Sequence, residues 1–401
     1  MLAVLGSLAA LALAAGEGSD RVSLDNGKEL QGRIVYLDDK TLVLRQGARD
    51  VELDRRSVQR FDSVARNLDA LLDNEARSGE TVADLELLAA QARECRLAGE
   101  EANLLWRILL LDSGHEDAHL RLGHRKRDSA WVVPVGASIV PFAERIVDAR
   151  QWGSAWELET LHYRLRSNLE LKDDLDLALD LERLYFHYFD WLESDLHLLD
   201  VTQPMNVALH ADAVSFPEDG RDYGFYEPQT DTVHIDASAG LHWETLAHEA
   251  AHQLLHVTLL GDRSRSVVFP AWLDEGLAEY FATSLKRDHS GVTFTPGAPA
   301  LHHFRTHARA KKPLDLEHVL ELTVYDYDDA VDRDLEYAQS YTLVHCLLEG
   351  AEKKFRPGFM AFLRGLASDK GSPGDLKKCL RSEWRRLEGS WNAHARNLAP
   401  P

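Results

Sequence analysis

Cysteine is scarce. Cys95, Cys346 and Cys379 are the only three in 401 residues. They permit at most one intramolecular bridge, so no disulfide framework carries this fold. None belongs to a recognisable zinc motif, and Cys346, on the apolar side of its segment, is expected to be buried. Positive charge is also short: 45 Lys and Arg stand against 66 Asp and Glu, for a formal net charge of −21. Phosphate binding needs a basic surface, so nucleic acid is not an expected partner. The acidity mildly favours basic peptides. Long apolar runs are missing after the opening M-L-A-V-L-G-S-L-A-A-L-A-L-A-A-G. That run is too short for a comfortable membrane span and ends in small residues, with Ala12-Leu13-Ala14 matching an A-x-A cleavage site. No Lys or Arg precedes it. Residues 1–18 are expected to be a signal peptide. The mature chain is expected to be exported (periplasm, extracellular space or cell envelope) without stable membrane insertion.

The chain is too long for one ordinary core, so two or three units are expected. Residues 19–64 alternate short β-type runs with turns at Asn26-Gly27, Asp38–Lys40 and Gln46-Gly47. Five short strands of this kind suggest a small SH3-like or Sm-like barrel, a module for docking a protein or envelope partner. Residues 65–152 read as a helical spacer ending in a short β segment, Ala130–Val135. Within it, Leu110–Gly123 resembles one joint of a tetratricopeptide-like unit; one joint is not an array. A further domain is expected from Gly153 to the end, with strands at Tyr163–Ser167, Val207–His210 and Thr232–Asp236. Helices are expected over Asp173–Leu192 and Leu241–Leu260.

The chemistry concentrates in two motifs. His248, Glu249 and His252 stand as H-E-A-A-H, and W-L-D-E-G-L-A-E-Y-F follows at Trp272–Phe281. Residues four apart share a helix face, so His248 and His252 can point at one metal ion. Glu249 projects about 100° round the helix and is placed to reach a water on that metal rather than to be a ligand. Glu275 can reach the same metal from a following helix that Pro270 would start. Glu279, four residues on, is a candidate acceptor for the outward N–H of a ligand histidine. The set could instead be two partly buried histidines and a carboxylate favoured by a helix dipole. Together the residues can supply three ligands for one zinc per chain and a general base, which suits hydrolysis by a metal-activated water. Several further histidines lie near the motifs. A solvated face is expected for His302, His303 and His307, and a surface or partly buried position for His256.

In these two motifs the chain resembles the gluzincins, zinc metallopeptidases of the HExxH-plus-glutamate kind. Over about residues 230–350 it is most similar to the bacterial peptidase MA-like and DUF1570 families. The resemblance implies an α+β fold: a mainly helical zincin-like peptidase domain with a small sheet, over residues 153–401. It implies Glu275 as third ligand, Glu279 as holder of a ligand histidine, and a tyrosine donating to the oxyanion. Tyr337 occupies the place of that tyrosine, and Tyr341, one turn on, competes with it. The aminopeptidase G-x-M-E-N motif is absent, so that activity is not implied. The strand Thr232–Asp236 would be the edge that pairs with an extended peptide or protein substrate. The expected activity is zinc-dependent endopeptidase hydrolysis. The alternatives are a catalytically weak zinc-binding scaffold and a cell-envelope interaction protein.

Overall fold

The structure is a computed structural model describing residues 20–47, 49–136, 138–196, 198–199, 201, 203–217, 223–261, 269–288, 291–328, 333–366, 368 and 370–399. The expected signal peptide lies outside the described residues. The described residues are mixed helix and strand, with more helix. They divide into two compact units. One holds residues up to Arg183 and those from 201 to Ser215; the other holds Leu184–Leu199 and everything from Phe216 on.

In the first unit, strands β1 (Asp20–Leu24), β2 (Glu29–Leu37), β3 (Thr41–Gln46), β4 (Arg49–Asp54) and β5 (Val58–Asp62) form an antiparallel sheet in the order β4-β3-β2-β1-β5. Its apolar alternation is real: Val22, Leu24, Ile34, Leu42, Leu44 and Val58 make one buried cluster. The barrel expected here does not close. Strands β4 and β5 are the two ends of the order, and no residue of β4 is fully buried, so nothing draws its edge across to β5.

Helices α1 (Val64–Glu75), α2 (Val82–Glu94), α3 (Ala98–Leu111) and α4 (Glu116–Arg121) follow. Thr81 caps α2 in a reciprocal box with Asp84. A three-stranded sheet comprises β6 (Arg125–Arg127), β7 (Ala130–Val135) and β8 (Ser138–Pro141), with α5 (Phe142–Asp148) after it. Then come β9 (Trp156–Glu159), β10 (Tyr163–Ser167), α6 (Leu171–Leu196) and β11 (Met205–His210). Strand β10 pairs antiparallel with β9 and parallel with β11.

The helical spacer and the start of the expected peptidase domain are one body. Buried Glu100 of α3 accepts the Leu161 amide at 2.7 Å, and Asn103 donates to the Glu159 carbonyl at 3.3 Å. Gly99 lies so close to that carbonyl that a Cβ would stand 2.2 Å from its oxygen. The division between units therefore falls inside α6 rather than at Gly153.

The second unit opens with the end of α6 and the hairpin β12 (Gly224–Glu227) and β13 (Thr232–Asp236), paired antiparallel. Val233 and Ile235 alternate inward and are fully buried, as their period-2 spacing requires. The strand expected to be an edge is covered on one side by β12, and β12 is itself an end strand of its sheet. Helix α7 (Trp243–Leu255) runs on into a π-helical turn, His256–Leu260, that stops at Gly261 with φ of 56°. Pro270 caps α8 (Ala271–Ser284). The hairpin β14 (Leu285–Asp288) and β15 (Gly291–Phe294), and helices α9 (Leu301–Arg309), α10 (Leu316–Glu321), α11 (Arg333–Glu349), α12 (Arg356–Leu366), α13 (Pro373–Leu380) and α14 (Trp384–Leu398), complete it. Helix α11 is buried without a break from Ala338 to Leu348, so it is the axis on which the others pack. Gly276 lets α8 approach it: a Cβ there would lie 2.7 Å from the Ser340 carbonyl oxygen and 2.6 Å from Val344. No helix among the described residues is long and apolar enough to cross a membrane. Cys346 is buried, as expected.

Candidate active site

Helix α7 carries His248, Glu249 and His252 on consecutive turns, and α8 carries Asp274, Glu275 and Glu279 against them. The His248 Nε2 lies 3.1 Å from the His252 Nε2 and 3.2 Å from Glu275 Oε2; the last pair, His252 Nε2 and Glu275 Oε2, are 3.6 Å apart. These three side chains form a cluster whose ligand atoms could hold a metal ion.

The other face of each imidazole decides what those Nε2 atoms can do. The His248 Nδ1 is 3.1 Å from Glu279 Oε2, and the His252 Nδ1 is 2.8 Å from Asp274 Oδ1. An ionised carboxylate only accepts, so both Nδ1 atoms carry the proton and donate it. Each neutral ring is then left with a bare lone pair on Nε2. Two such lone pairs and a carboxylate oxygen repel one another at these separations unless a cation or an extra proton joins them. Around a tetrahedral metal with bonds of about 2.1 Å, donors stand roughly 3.4 Å apart, which the three observed separations bracket. The donor set fits a borderline divalent cation.

Electrostatics points the same way. Asp274, Glu275, Glu279 and Glu249 put four carboxylates round two imidazoles. Burial works against the charged form of His248, but hydrogen bonds with Glu275 and Glu279 outweigh it and raise the imidazole to about 10. His252 rises as well: burial opposes it, and the charges of Asp274 and Glu275 prevail. Burial would raise Glu275, yet the His252 charge and the imidazole hydrogen bonds bring it to about 2. The pocket demands positive charge, a demand that a cation could meet in place of protons.

Glu249 stands apart from this set. Burial pushes its carboxyl up, partly countered by the charges of His248 and His252 and by the Tyr226 amide, which donates to it from β12. Tyr337, on α11, lies with its ring 6.4 Å from that of His248. Burial, then the negative charges of Glu275 and Glu249, keep its hydroxyl protonated far above the usual range, and Arg333 pulls the other way. The competitor, Tyr341, is fully buried. Its hydroxyl accepts the Ala300 amide at 2.8 Å and faces the Ala298 carbonyl at 3.4 Å, so it ties down the entry to α9.

Three participants escape the sequence. Asp274 sits beside Glu275, but only the rotation of α8 against α7 shows that it serves His252. His256 is buried, with Nε2 3.0 Å from Asp274 Oδ2. The spacing that carries His248 to His252 also carries His252 to His256, and that signal could have found it. His303 was expected on a solvated face and is instead buried, with Nε2 2.6 Å from Glu279 Oε1. His307 is likewise buried, bonded to Thr342 at 2.8 Å. An amphipathic α9 places both on its inner side, where polar residues of α8 and α11 receive them; His302 stays exposed. His345 turns to His394 and the Gly297 carbonyl.

The family described as "Protein of unknown function (DUF1570)" matches residues 242–370, a stretch that contains both motifs and Tyr337. No curated protein matches the chain.

Proposed function

We propose that this protein is an exported zinc metallopeptidase of the gluzincin type, cleaving peptide bonds within a peptide or protein substrate. The observation that supports it best is the convergence of the His248 and His252 Nε2 atoms on Glu275, with a carboxylate holding each ring from behind. His248, His252 and Glu275 would hold one zinc per chain. When bound, zinc supplies a Lewis acid that polarises a carbonyl and acidifies water.

The chain's own groups do the rest. Glu249 takes a proton from the attacking water and returns it to the leaving amine. Its raised affinity for protons suits a base working near neutral pH. Tyr337, kept protonated, donates through its hydroxyl to the oxygen on which negative charge develops. Asp274 and Glu279 hold the two imidazoles in the Nδ1–H tautomer. The end strand β12, whose Tyr226 amide already touches Glu249, is the ladder on which an extended substrate would lie. The N-terminal sheet, whose strand order suits an SH3-like meander, would dock a protein or envelope partner.

The test compares wild type with Glu249→Gln. The amide keeps the shape but cannot accept a proton. The variant should fold, retain about one zinc per chain and lose nearly all turnover of a peptide library. If both proteins bind zinc and neither cleaves any peptide, the catalytic reading falls and a zinc-binding scaffold takes its place.

A further inference from the structure

We infer that His256 and His303 are positioning residues: each locks the carboxylate that in turn locks one metal-facing histidine. The inference rests on the metal role proposed for His248 and His252. The two arms have the same construction. His256 Nε2 reaches Asp274 Oδ2 at 3.0 Å while Asp274 Oδ1 takes His252 at 2.8 Å. His303 Nε2 reaches Glu279 Oε1 at 2.6 Å while Glu279 Oε2 takes His248 at 3.1 Å. In each arm one carboxylate has both oxygens engaged, one by the inner ring and one by the outer. A carboxylate held at one oxygen can swing about its terminal torsion; held at both, its plane is fixed, and so is the ring it supports.

The outer rings are held in turn. His256 stacks on Phe269 at 5.2 Å and meets the Tyr226 ring edge-on at 5.4 Å. Its Nδ1 is buried and makes no hydrogen bond among the described residues, so Nε2, facing Asp274, is the nitrogen through which it acts. His303 lies against Tyr341 at 4.8 Å. The hydroxyl of that tyrosine secures the start of α9, the helix from which His303 reaches back to α8. Glu279, His302 and His303 also lie close enough to hold a cation of their own. But both Glu279 oxygens already accept from imidazoles, and the His303 nitrogen that faces Glu279 carries the proton it donates, so that nitrogen is not free to be a ligand.

The experiment measures zinc held by the full chain against a competing chelator, with peptide turnover read separately. His256→Phe and His303→Phe keep a ring and lose the N–H. Each should weaken zinc retention by roughly 10-fold, the low end of the cost of losing the outer partner of a ligand histidine, because the carboxylate itself remains. His256→Gln and His303→Gln restore an N–H near the Nε2 position and should recover most of the loss, which separates donation from packing should a Phe variant fold poorly. His302→Ala should match wild type. The inference is overturned if the Phe variants hold zinc as tightly as wild type, or if the Gln variants are no better than Phe. A second zinc per chain that disappears in His302→Ala overturns it for His303, which would then be a ligand. If wild type binds no zinc at all, the proposed function falls first and takes this inference with it.

Discussion

At the scale of single residues, two tyrosines one turn apart on one helix have opposite surroundings. The Tyr337 ring stands beside His248, while the Tyr341 hydroxyl is spent on the Ala300 amide. Tyr337→Phe should therefore lower kcat by roughly 10²- to 10³-fold with little change in KM, because the lost contact forms mainly in the transition state. Tyr341→Phe should leave kcat within a few-fold of wild type and cost about 0.5–1.5 kcal/mol of stability, read as a lower Tm. A large kcat loss in Tyr341→Phe alone would exchange their roles. Sequence placed both tyrosines near the site but could not separate them, since the difference lies in what a loop more than forty positions away brings to one hydroxyl. The clustering of His248 and His252 was legible because its logic is local: the two need only one helix, as Glu275 and Glu279 do by the same spacing. Asp274 and His303 were not legible, because their partners come from other elements.

At the scale of elements, the site depends on how closely α8 lies against α11. Gly276, next to Glu275, faces the Ser340 carbonyl, and an added Cβ would meet backbone there at 2.7 Å. Backbone cannot rotate out of the way as a side chain can. Gly276→Ala should therefore part the two helices, costing about 1–3 kcal/mol, and weaken zinc retention, because Asp274, Glu275 and Glu279 ride on α8. Gly389, within α14, meets nothing within 4 Å of a built Cβ. Gly389→Ala is the control, expected to gain about 0.5–1 kcal/mol from helix propensity. If Gly276→Ala melts and holds zinc as wild type does, close packing at this point does not set the site. Sequence shows elements best where one face is buried: β10 and β13 fall where alternation puts them. It misses β6, whose Arg125, Lys126 and Arg127 are all exposed and carry no alternation. It also misses the hairpin β14–β15, too short to establish a period.

At the scale of the molecule, the unit boundary was invisible to composition, because it falls inside the unbroken helix α6, whereas Gly153 lies in a turn-rich stretch that reads like a linker. What joins both sides of it is a buried carboxylate on α3. A chain truncated to begin at Gly153 should lose Glu100, Arg107 and Glu75 together, stranding the Leu161 amide and leaving Arg183 without the Glu75 carboxylate 2.5 Å away. It should unfold at lower urea concentration than the full chain, or without cooperativity; an unchanged midpoint would restore Gly153 as the boundary. The same unit holds a titrating pair. His119 and His124 face each other through their Nδ1 atoms at 2.7 Å, packed among Trp106, Trp131 and Phe142. The ionised Nδ1 positions cannot both carry protons at that distance. Burial, then the His119 charge, brings His124 down to about 4, and burial lowers His119 as well. The folded value of His124 lies below the ~6.5 of an unfolded histidine, so the unfolded chain takes up the extra proton. The stability this group contributes is fully present above about pH 6.5 and is lost as pH falls through its folded value, on the order of 3 kcal/mol in all. His124→Asn keeps a donor near the Nδ1 position and cannot charge. Urea midpoints measured from pH 7 down to 4 should fall less steeply for this variant than for wild type, with the two curves closest at pH 7. Parallel curves would show that the acid loss comes from groups elsewhere and that His124 takes its proton in the folded chain as readily as in the unfolded one.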